Sequence, residues 1–102
     1  MNGRYILDGH TPKPVDDVLE WARWCEKAER HVGDTQVGKL RVSTVFLGLD
    51  HSFSGGVPIL FETMIFGDDT IHYQERYATW EDAEEGHRIA VKIAKQKIKE
   101  GK

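Results

Sequence analysis

The residues of this chain that could do chemistry sit where apolar, strand-like runs end or are interrupted. Asp50 and His51 open a loop after one such run. A carboxylate beside an imidazole has the means to hold a polar ligand or pass a proton. Neighbouring residues of a strand point to opposite faces, so the two cooperate only if the strand has already broken. Asp8 and His10 repeat the pattern near the start of the chain. If the first strand ran parallel beside the one that ends at Leu49, both pairs would emerge at one edge, a donor set that suits zinc or manganese. There is no HExxH, no His-x-His and no cysteine set, so no metal and no cofactor is expected, and exposed loop histidines are the simpler reading.

A second group interrupts the apolar runs themselves. Glu62 and Thr63 break one run, and Ser43 and Thr44 break its neighbour at a level where pairing brings them together. A buried carboxylate needs a partner, because leaving it unpaired costs several kcal/mol. Arg41 or Arg76 on neighbouring strands can supply it. The bland outcome is a structural polar pair; the functional one is a pocket floor in which Arg41, Glu62 and Arg76 hold polar groups. The loop Ser52-Phe53-Ser54-Gly55-Gly56 offers donors and open backbone for an anion, but it lacks a P-loop lysine and precedes a strand. Phe53 at its tip is suited to insert into a partner. His87 follows Gly86 on an apolar helical stripe. The glycine, costly in a helix interior, marks a close approach, and the histidine reads as a core residue bonded to a strand.

These groups need a scaffold, and the hydropathy pattern supplies one. Arg4-Tyr5-Ile6-Leu7 ends at Asp8-Gly9 and reads as a short first strand; His10-Thr11-Pro12-Lys13-Pro14 reads as a stiff connector. Val18, Ala22, Cys25, Ala28 and Val32, widened by Trp21 and Trp24, predict a helix over 15–32 that stops at Gly33-Asp34. Strands are predicted over 40–49, 58–66 and 71–77 from alternation and β-branched content. Thr79 and Asp82 resemble a capping box that opens a second helix reaching about Ile98. The order β-α-β-β-β-α predicts one α+β domain over 1–102, with a mainly antiparallel four-stranded sheet and two helices. The strands at 40–49 and 58–66 are apolar on both faces. This calls for either helices on opposite faces or a second copy, and a homo-oligomer is the expectation.

Composition narrows the classes. Charged residues make up 30% and the net charge is −3, an ordinary balance that gives nucleic acid no electrostatic footing. No apolar run approaches the roughly 18 residues of a membrane span, and the first residues lack the pattern of a secretory signal. A cytoplasmic protein is therefore expected. The single Cys25 permits no internal disulfide and, on its apolar stripe, reads as a structural thiol.

The segments RYILDGH, RVSTVFLGLDH (41–51), LFETMIFG (60–67) and ERYATWEDAEEGH (75–87) together resemble a family of small, mostly uncharacterised proteins encoded by bacteriophages and prophages. The resemblance covers most of the chain. It implies a small non-virion protein acting in the bacterial host, where such proteins modulate host processes, including antiviral defence; it implies no activity. The combined expectation is a non-enzymatic accessory protein that binds a host protein or sequesters a small polar ligand. The candidate contact residues are Arg41, Asp50, His51, Phe53, Glu62 and Arg76. The alternative is a small hydrolase or phosphodiesterase using Asp50, His51, His10 and Glu62.

Overall fold

The structure, a computed structural model, describes residues 3–52 and 56–101. Their order is β1 (Tyr5–Asp8), β2 (Thr11–Pro14), α1 (Val18–Lys27), β3 (His31–Val37), β4 (Leu40–Phe46), β5 (Phe61–Phe66), β6 (Gln74–Tyr77) and α2 (Trp80–Glu100). The fold is α+β, with two helices and an antiparallel four-stranded meander ordered β3-β4-β5-β6. The first strand expected in that sheet is elsewhere: β1 pairs with β2 in a separate hairpin, and β3 takes its place. Gly9, at φ 64°, makes the hairpin turn.

Helix α1 is shorter than its apolar stripe predicts. Asp17 caps it by accepting from the amides of Leu19 and Glu20, and Ala28 at the other end has already turned extended. The Glu29 carboxylate then accepts the His31 amide at 2.8 Å and redirects the chain into β3. The stripe also faces differently. Val18 and Leu19 are exposed, whereas Trp24 lies edge-on to Phe46 with ring centroids 5.7 Å apart. The Trp21 indole donates to the Gly48 carbonyl at 3.1 Å. Two indoles bury far more surface than Val18 can, so they choose the packing face.

Helix α2 begins at the predicted cap, with the Thr79 hydroxyl accepting the Asp82 amide at 3.0 Å. Its buried positions, Ala83, Gly86, Ala90 and Ala94, are all small, which lets the helix lie close to the sheet. Ala90 and Ala94 pack on Val37, Leu40, Val42 and Ile65. Ala83 joins Phe46, Leu60 and Phe61, with Tyr5, Leu7, Trp24 and Trp80 around them. Both clusters draw on one alternating set of the sheet, so α2, α1 and the hairpin gather on the same side of it. The molecule is drawn out, 50 × 30 × 23 Å with a radius of gyration of 15.0 Å, against about 13 Å for a compact chain of this size. No helix among the described residues is long and apolar enough to cross a membrane.

Candidate functional site

Under α2 the sheet carries a line of polar groups. Thr44 on β4 and Thr63 on β5 are directly opposite one another, and their hydroxyls meet at 2.5 Å. Tyr77 on β6 donates to Thr63 at 3.1 Å. On the other side, Thr44 lies 2.7 Å from His87 Nδ1, and His87 Nε2 lies 2.8 Å from the Thr35 hydroxyl on β3. Each hydroxyl has one proton. Since Tyr77 gives its own to Thr63, every proton finds an acceptor if Thr63 donates to Thr44, Thr44 donates to Nδ1, and neutral His87 donates from Nε2 to Thr35. Burial pushes the imidazole pKa below its ordinary value, opposed by the charge of Asp34, and raises that of Tyr77.

Two glycines make room for this line. A side chain at Gly33 would meet the His87 ring at 2.8 Å, and one at Gly86 would run into the Tyr77 hydroxyl and ring. The close approach that Gly86 marks is therefore made by a tyrosine. Thr44 and Thr63 are fully buried, so no substrate reaches them, and the His–Thr contact holds helix to sheet rather than activating a nucleophile.

The opposite face of the sheet carries Arg41, Glu62 and Arg76. Glu62 accepts from Arg76 at 3.0 Å and from Gln74 at 2.5 Å, and its side chain is only 13% exposed. Arg41 is not with them. It makes two 2.8 Å bonds to Asp34, which hold the Asp34 carboxyl below its usual range. Arg41 sits opposite Phe66, whereas Glu62 sits opposite Val45, roughly 13 Å further along the strands. The three residues share a face but form no common pocket. Ser43 and Met64 pair between them. Among the described residues no helix lies across this face; the end of α1 approaches only its corner, leaving a cleft of about 420 Å³ beside Cys25, Arg30, His31, Val45 and Leu47.

The loop after β4 is organised by Asp50. Its Oδ1 accepts the amides of Ser52 and Ile59, both at 2.9 Å, and its Oδ2 accepts the Ser52 hydroxyl at 3.0 Å. The two amide bonds lead in holding its pKa below the usual carboxylate range. Asp50 thus closes the loop and has little capacity left for a ligand. His51 pairs its amide with the Ile59 carbonyl at 2.9 Å, and its Nε2 is buried without a hydrogen-bond partner. Phe53 lies outside the described residues.

A shared edge for the two Asp–His pairs is overturned. Arg4 bridges Leu49 in antiparallel sense, and Asp50 donates its amide to Gly3. The chain therefore runs away from Asp50 as it passes through β1 to Asp8. His10 instead stacks on Trp80, 3.8 Å between centroids and 6° between planes. Among the described residues no group of three or more His, Cys, Asp or Glu is placed to hold a metal ion.

Sequence reasoning missed the end of the molecule around Arg4. The Arg4 guanidinium donates to the Asp16 carbonyl at 3.1 Å, just before α1, while its backbone bridges Leu49. This joins the first turn of α1, with exposed Val18 and Leu19, to the loop that carries exposed Leu49 and Val57. The signal was present as Val18 and Leu19, two adjacent apolar residues that one helical stripe cannot bury together. No family model, curated protein or solved structure matches the chain.

Proposed function

We propose that this chain is a phage-encoded accessory protein of the bacterial cytoplasm that acts by binding a host protein, without catalysis. The binding surface is the end built from the first turn of α1 and the β4–β5 loop. The observation that carries this reading is that most of the exposed large apolar residues fall on these two segments, whose near ends Arg4 ties together. Of the six large apolar side chains exposed among the described residues, Val18, Leu19, Leu49 and Val57 belong to this end, with Leu19 at 64% and Val57 at 69% exposure. Exposed apolar side chains held on a fixed frame favour association, because little ordering remains to be done on binding. The Asp50 bonds and the Arg4 bridge provide that frame. The phage context rests on the resemblance of the four sequence segments.

Sequestration of a small polar ligand has less support, because Arg41 stands apart from Glu62 and Arg76 on an open face. The hydrolase reading has less still. Of its four residues, Asp50 is tied into its loop, His10 is stacked on Trp80 and Glu62 is paired with Arg76. The test is affinity capture from infected cells, run in parallel with Leu19→Glu, Val57→Glu and Ile89→Glu. A host protein retained by wild type and by Ile89→Glu, but lost from the other two, is expected. Turnover of nucleotide or phosphodiester substrates that disappears in His51→Ala would overturn the reading.

A further inference from the structure

We infer that the β1–β2 hairpin is a flap, hinged at its base beside the β4–β5 loop and latched at its tip by the stacking of His10 on Trp80. It opens while the four-stranded sheet and α2 stay together. Nothing in it rests on the proposed binding of a host protein.

The base is fixed by backbone. Tyr5 donates its amide to the Gly48 carbonyl at 2.8 Å, Asp50 donates to Gly3 at 2.9 Å, and Val15 donates to Arg4 at 3.0 Å. Val15, just past β2, is buried. Beyond this base the attachment changes kind. Among the described residues no hydrogen bond and no ion pair joins residues 6–13 to anything outside the hairpin.

The ribbon itself is weakly tied. β1 and β2 form a sheet of their own, and two strands alone are marginal in water. Pro12 and Pro14, which lack an N–H, stand opposite Leu7 and Tyr5. Hydrogen-bonded and non-bonded pairs alternate in an antiparallel ladder, so the bonds fall to Ile6 with Lys13 and Asp8 with Thr11.

Side-chain packing holds the tip. Leu7 reaches the cluster of Phe46, Leu60, Phe61 and Ala83. At the turn the His10 ring lies flat on Trp80, 3.8 Å between centroids and 6° between planes, although His10 as a residue is exposed. Trp80 in turn meets Phe61 edge-on at 6.3 Å, so the indole belongs to the core and the imidazole to the flap. The Trp80 indole N–H is buried without a hydrogen-bond partner, a cost that hydration of the opened ring removes. The second core cluster, built on Val37, Leu40, Val42, Ile65, Ala90 and Ala94, contains no hairpin residue. Lifting the tip leaves it intact.

Native-state hydrogen exchange on the full chain, read by NMR, tests this. Protection factors at Ile6, Asp8, Thr11 and Lys13 are expected to lie at least roughly 100-fold below those at Thr44 and Thr63, in the centre of the sheet. His10→Ala is expected to lower the hairpin values by about 3- to 10-fold, the loss of one stacked pair, whereas His10→Phe, which keeps a ring for the stack, retains them. Ala94→Gly weakens the other cluster. It is expected to lower protection at Thr44 and Thr63 by about fivefold or more and to leave the hairpin values unmoved, because the flap opens without it. Hairpin amides as protected as those of the sheet would overturn the inference. So would hairpin values that fall together with the sheet in Ala94→Gly, or that do not respond to His10→Ala.

Discussion

The ring of His87 and the hydroxyl of Thr44 meet at 2.7 Å, a hydrogen bond between α2 and the centre of the sheet in which a neutral imidazole accepts the threonine proton. Burial lowers the imidazole pKa from its ordinary value, so the unfolded chain takes up the proton first as the pH falls. The stability linked to His87 is therefore complete above the ordinary imidazole range and declines as the pH drops below it toward the folded value. Thermal melts followed by circular dichroism from about pH 7.5 to about pH 5, a range in which histidine titrates and carboxylates do not, are expected to show a falling melting temperature. The fall is expected to be weaker in His87→Phe. An equally steep fall in that variant would assign the effect to another group.

Gly86→Ala is expected to destabilise the protein, against helix propensity. Alanine would ordinarily gain about 1 kcal/mol over glycine in a helix interior. Here the added methyl collides with Tyr77, and overpacking of a fitted site costs about 1–3 kcal/mol. Because the collision includes the ring carbon that bears the hydroxyl, Tyr77→Phe does not relieve it. In a Tyr77→Ala background the same Gly86→Ala change should become neutral or favourable, as read from urea denaturation midpoints.

Arg76→Ala and Arg41→Ala should differ although both break an ion pair on the same face. Glu62 is mostly covered, and losing Arg76 leaves its carboxylate with the neutral Gln74 amide and no counter-charge. Asp34 and Arg41 are both well exposed, and water screens such a pair so that it adds little to stability. Equilibrium denaturation is expected to show a loss of about 1–3 kcal/mol for Arg76→Ala, the penalty for a poorly solvated carboxylate that has lost its counter-charge, and a small effect for Arg41→Ala.

Asp50→Asn should leave the loop closed, because the Oδ1 that accepts the Ser52 and Ile59 amides has a counterpart in asparagine. Asp50→Ala should open it, with faster amide exchange at Ser52 and Ile59 and, on the proposed function, weaker capture of a host protein. A proton-transferring aspartate would respond differently, since asparagine would then be as damaging as alanine.

Several of these relationships are legible in the sequence, for local reasons. The Thr79 cap and the spacing of Ala83, Ala90 and Ala94 mark α2 within a few turns of chain. The alternation over 40–49 and 58–66 marks β4 and β5 and sets Thr44 near Thr63. What was missed depends on distant partners. His31–Val37 reads as the end of a helix because Gly33-Asp34 looks like a stop. Its glycine is there for His87, which arrives only when α2 packs. Pro12 and Pro14 suggest a connector, yet a two-stranded hairpin tolerates them because its outer strand has one side free of pairing. The antiparallel bridge from Arg4 to Leu49 joins segments far apart in the chain, and no local pattern encodes its direction. That direction separates Asp8 and His10 from Asp50 and His51.

The polar line beneath α2 also bears on the order of assembly. His87 binds Thr35 of β3 and Thr44 of β4, while Gly86 receives Tyr77 from β6, so the docking site for α2 is complete only once all four strands are in register. Rotating the helix by one residue, about 100° at 3.6 residues per turn, would turn His87 away from both hydroxyls at once. The seat of the helix therefore depends on the register of the whole meander: a sheet paired one residue out of register would offer His87 and Gly86 no matching partners.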